Sequence, residues 1–166
     1  MHYRGLMRHP KLIAVLLGAL VVSPTYAAGN EITVKQIRSD LSAKGARYVI
    51  DHYFDCETGQ GYRLVESGTP AGVRLAVEML KYSDACVTES LQSSLGTAMI
   101  SAPIVVLPYV NTDRLLRAEW ICLPFMSDDT PPAKEKAIVA RVRLSLSRVH
   151  VKELELKKTA CLEQAR

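Results

Sequence analysis

The chain has 166 residues, of which 21 are Lys or Arg and 17 are Asp or Glu, for a formal net charge of +4. Arg4, Arg8 and Lys11 lie in the first 27 residues, which hold no acid, so residues 28–166 carry 18 bases against 17 acids. A balance this close to neutral excludes the broad electrostatic footprint of a nucleic-acid or anionic-membrane binder, and 139 residues suffice for one domain with its own core.

The basic start runs into an unbroken apolar stretch, Leu12–Val22, closed by Ser23-Pro24 and then Thr25-Tyr26-Ala27. This layout predicts a secretory signal peptide over residues 1–27, with Ala27 the last residue removed. A bilayer core needs roughly 20 apolar residues, about twice what this stretch offers, so no stable membrane insertion is expected after removal. The mature chain, 28–166, is then a single domain that works in the periplasm or outside the cell, where disulfides persist. His2 and His9 leave with the signal, and His52 and His150 remain.

Along the mature chain the periodicities are helical. Thr33 and Gln36 fit a capping box ahead of Val34, Ile37 and Leu41. Gly45 reads as a stop, because glycine takes a left-handed conformation without a Cβ clash. Ala46, Val49, Ile50, Tyr53 and Phe54 form a second stripe, and Gly59 and Gly61 break it before Tyr62, Leu64 and Val65. Thr69-Pro70 is a cap and first-turn pair ahead of Val73, Ala76, Val77 and Leu80. Ser83-Asp84 starts a further helix carrying Val87, Leu91, Leu95, Ala98 and Met99. The runs Ile104–Val110 and Trp120–Phe125 fit a helical turn or a strand equally well. The polar, proline-bearing Ser127–Pro132 reads as a surface loop.

The last third carries two patterns. Val142, Leu144 and Leu146 alternate as in a strand, whereas Ile138, Val142, Leu146 and Val149 repeat as in a helix. Ala133–Arg166 holds no Gly, Pro, Asn or Asp, the residues that tight hairpins favour, so one long helix or two helices are expected. The fold class is therefore all-α.

Lys44-Gly45-Ala46, Ser67-Gly68, Ser83-Asp84-Ala85, Pro103-x-Val105-Val106-Leu107 and Ile121-Cys122-x-Pro124-Phe125 follow one another in this order. Together they resemble a group of small exported bacterial helical proteins of unassigned activity. The resemblance implies a compact bundle or short superhelix of paired helices. It brings no catalytic residues.

Cys56, Cys86, Cys122 and Cys161 allow three pairings. Their spacing fits neither a C-x-x-C redox site nor a zinc module, so structural disulfides are expected. Cys56–Cys86 with Cys122–Cys161 is preferred, because helices near in sequence tend to be neighbours in space. Cys56–Cys161 with Cys86–Cys122 is the alternative. A free Cys86 near a helix start would be a reactive thiol instead.

Asp51, His52, Asp55, Cys56 and Glu57 are the densest set of functional side chains. His52 and Cys56 are spaced to share a metal from one helix face, but a solvated acidic face beside core Tyr53 and Phe54 is the reading preferred. His150 and Glu153 read as an exposed pair at helical spacing. Ser90, Ser93 and Ser94 fall in mid-helix, where serines face solvent or bond back to the preceding turn. Gly59-Gln60-Gly61 is too short for a phosphate loop, and no hydrolase signature is present.

No catalytic residue, cofactor or metal is thus assigned. The expected function is a non-enzymatic periplasmic module that binds another protein, such as an immunity or inhibitor protein against an exported toxin. The alternatives are a small enzyme with a site near His52, or a carrier of a small apolar ligand.

Overall fold

The computed structural model describes residues 32–56 and 58–166; the expected signal segment and Glu57 lie outside the described residues. Helix α1, Val34–Tyr53, begins where the Thr33 hydroxyl accepts the Gln36 amide at 3.1 Å. It buries Ile37, Val49, Ile50 and Tyr53. At Gly45 the first limb stops, as the sequence predicts. One non-helical residue, at φ 83° and ψ 170°, bends the chain, and the helix resumes at once. The stop and the restart together make a kink, because glycine absorbs the whole change of direction in a single pair of dihedrals.

Two shorter helices follow, α2 (Gly61–Glu66) and α3 (Pro70–Met79). Thr69 caps α3 through the Gly72 amide at 3.2 Å, and Pro70 fills its first position. Helix α4, Ala85–Ser101, is the axis of the fold. Its buried Val87, Leu91, Leu95, Ala98 and Met99 are the stripe expected from the sequence. Around it pack α2, α3 and four later helices: α5 (Pro103–Val106), α6 (Ala118–Ile121), α7 (Pro132–Ser147) and, through α6 and α7, α8 (Glu155–Gln164). Short 3₁₀ turns at Leu107–Tyr109, Arg114–Leu116 and Lys152–Leu154 connect them.

Among the described residues there is no strand, and the helices pack on one another. Both ambiguous runs are resolved by that packing. Ile104–Val110 is a helical turn that continues into a 3₁₀ turn, with Val106, Leu107 and Val110 buried. Trp120 and Ile121 end α6, and Leu123–Met126 is irregular. The tail forms two helices. Val142 and Leu146 are buried while Leu144 is exposed, so the four-residue period and not the alternation faces the core. No described helix is long and apolar enough to cross a membrane.

Two disulfides tie the helices. Cys56 joins Cys86 with 6.1 Å between Cα atoms, and Cys122 joins Cys161 with 5.2 Å. The first links the segment after α1 to the first turn of α4. The second pins α8 to the end of α6.

Candidate functional site

His52 lies on the exposed outer face of α1, and its contacts are with rings. It stacks on Tyr48 at 5.1 Å between centroids and meets Tyr53 edge-on at 4.7 Å. Asp51 is paired with Arg47 at 2.9 Å. Asp55 accepts from the Thr58 hydroxyl. Cys56 is bonded to Cys86, so neither sulfur is a free thiolate for a metal or for nucleophilic attack. Among the described residues no group of His, Cys, Asp and Glu is placed to hold a metal ion.

The polar set beside His52 has a structural task. The Tyr53 hydroxyl donates to Asp40 at 2.5 Å, and Lys44 pairs with the same carboxylate at 3.0 Å. Lys44 also donates to the Tyr48 hydroxyl at 3.1 Å. The Tyr53–Asp40 and Lys44–Tyr48 bonds span Gly45 and hold the two limbs of α1 at their angle. The Tyr53 hydroxyl, and after it Lys44, keep the Asp40 carboxyl below the usual carboxylate range. Asp40 in turn pushes the Tyr53 hydroxyl up, which removes it as a base near neutral pH. His150 lies in the irregular link after α7 and Glu153 in a 3₁₀ turn; both are exposed, and the helical spacing assumed for them does not form.

The serines of α4 depart from expectation. Cys86, Glu89, Ser90, Ser93 and Ser94 recur at one-turn spacing and face a groove instead of open solvent. Ser94 is buried and reaches Glu66 at 3.4 Å. The Ser93 hydroxyl accepts the Phe125 amide at 3.0 Å. One end of the groove, about 410 Å³, is completed by Cys56, Tyr62 and Glu66. Burial pushes the Tyr62 hydroxyl up, a hydrogen bond with Ser90 acts the other way, and Tyr62 itself donates to the Phe54 carbonyl at 2.6 Å.

The other end, about 320 Å³, is walled by Trp120 and by Leu123 to Met126, with Glu119 and Glu135 at its edge. Glu89, Ser93 and Phe125 line both ends, so the two form one trough along α4. Trp120 is 52 % exposed and Phe125 71 %. Isolated exposed apolar residues need no explanation. Two aromatic rings sharing one trough do, because such rings are the side chains most enriched at binding hot spots.

Trp120 comes from α6, and the loop after it that carries Phe125 is held firmly. Cys122 anchors its start through the buried bridge to Cys161. A Cβ on Gly96 would lie 2.2 Å from the Leu123 carbonyl, so only glycine lets that backbone rest on α4. Comparison with protein-family models, curated proteins and solved structures finds no match for this chain. The site therefore rests on its own geometry. Its one sequence signal was Trp120 in a run without clear periodicity. Gly96 and the α4 serines gave none, because their role depends on what packs across from them.

Proposed function

We propose that this chain is a non-enzymatic module of an exported compartment that binds another protein through the trough along α4. The observation that carries this reading is the pair Trp120 and Phe125, both exposed and lining one trough, Trp120 from α6 and Phe125 from a loop fixed by a disulfide and by Gly96. Rigid aromatic anchors bind with little loss of side-chain freedom. The two disulfides suit the oxidising setting expected from the N-terminal layout. An immunity or inhibitor protein that blocks an exported toxin is the specific role this reading favours.

The test is site-directed photo-crosslinking in the exported compartment. A crosslinker at position 125 should capture a discrete partner that one at the still more exposed position 156 does not, and Trp120→Ala should abolish the capture. The same products from both positions would overturn the reading. So would turnover of peptidoglycan or ester substrates that disappears in His52→Ala, which would favour an enzyme. Saturable uptake of an apolar ligand with no protein partner would favour a carrier.

A further inference from the structure

The trough has a consistent sign. Glu66, Glu89, Glu119 and Glu135 lie along it, and among the described residues no Lys, Arg or His lines either end. Among the described residues, only Glu119 of these four has an ion-pair partner, the exposed Arg117 at 3.1 Å. Carboxylates gathered in a groove with low-dielectric walls focus a negative potential there. The exposed face of Trp120 adds a surface to which a guanidinium or ammonium is drawn.

Length separates a chain segment from a small cation. The α4 stripe from Cys86 to Ser94 spans eight residue steps, or about 12 Å at the helical rise. An extended segment covers that distance with about four residues. Its side chains alternate between faces, so two that are two apart enter the trough together while the one between them turns toward the rim, where Phe125 stands exposed.

Resting on the binding reading above, we infer that the occupant of the α4 trough is a short extended segment of a partner protein bearing lysine or arginine side chains between apolar ones. One cation lies between Glu89 and Glu66, a second over Trp120 near Glu119 and Glu135, and Phe125 packs on the apolar side chain between them.

The chain's single tryptophan makes the test direct. The full mature protein, with its disulfides intact, is titrated with a capped pentapeptide alternating leucine and arginine, with its leucine–glutamate counterpart, and with arginine amide alone. The arginine peptide is expected to shift Trp120 emission to the blue, to saturate, and to weaken as salt is raised. Glu89→Gln, at an exposed residue with no ion pair, should weaken binding about fivefold, the scale of one exposed charge pair; Glu153→Gln, outside the trough, should leave it unchanged. Equal binding of the glutamate peptide would overturn the charge assignment. Equal binding of arginine amide would make the site one for a small cation. An emission shift that follows protein concentration without peptide would make a second copy the occupant. If neither peptide binds while position 125 still captures a partner, the inference fails and the binding reading stands.

Discussion

Gly45 sits at φ 83° and ψ 170°, a region that is essentially reserved for glycine. A Cβ added there meets no atom within 4 Å, so the penalty for Gly45→Ala is backbone strain alone. Loss of about 1–3 kcal/mol is expected from that strain, measured as a lower denaturation midpoint with an unchanged slope. Beside this bend, removing the buried Tyr53 hydroxyl with Tyr53→Phe should cost about 1 kcal/mol. The pH dependence follows from the same pair. Asp40 titrates below its ordinary range, so its contribution is complete above that range and fades as pH falls through the lowered value. Tyr53 titrates above its ordinary range, so its contribution is complete below pH 10 and fades as pH rises beyond it. Melting temperature followed from pH 6 to pH 2 should fall less steeply for Asp40→Ala than for the parent chain. Gly45 was legible in the sequence as an interruption. That the bend would be bound by Asp40 and Tyr53, thirteen residues apart, was not.

At the scale of elements, the Leu123–Met126 loop shows how one small residue places a site. Gly96→Ala would drive a methyl into the Leu123 backbone, and the flexible partner is the loop. Overpacking of this kind costs about 1–3 kcal/mol. It should also alter Trp120 emission, whereas Gly45→Ala should not. The two disulfides differ in access. Cys122 and Cys161 are fully buried, while Cys56 and Cys86 are both exposed. A mild thiol reductant should therefore open Cys56–Cys86 first, which peptide mapping after alkylation reads directly; opening of Cys122–Cys161 first would show that α8 detaches more easily than its packing indicates. The pairing itself was legible, because each bridge joins elements close in sequence. Which bridge lies at the surface was not, since that depends on what covers α6.

For the whole molecule, bridges closing segments of 30 and 39 residues should each contribute about 3.5–4 kcal/mol in the chain-entropy model. Full reduction is expected to lower the melting temperature while the helical circular dichroism signal persists at 25 °C, because Ile37, Leu75, Leu91, Met99, Leu107 and Leu146 belong to one continuous core. Loss of the helical signal on reduction would mean that the core cannot hold the chain alone. Charge is also divided along the chain. Residues 28–131 hold 9 bases and 13 acids, and residues 132–166 hold 9 bases and 4 acids. The near-neutral total conceals this division, and the acidic trough lies mainly in the first part.

What the sequence by itself determined is what repeats or stops locally: the helical stripes of α1, α3 and α4, the Thr33 and Thr69 caps, and the absence of hairpin residues after Ala133. These are set by backbone preference and by one-sided burial, which act over a few neighbours. The tertiary structure alone decided where α4 turns its serines and glutamates, and that Trp120 and Phe125 stand out beside them. Those outcomes require α2, α6 and the loop after Cys122 to converge on one helix face. Contacts across 28 and 32 residues, such as Ser94 to Glu66 and Phe125 to Ser93, leave no periodic trace in the chain that makes them.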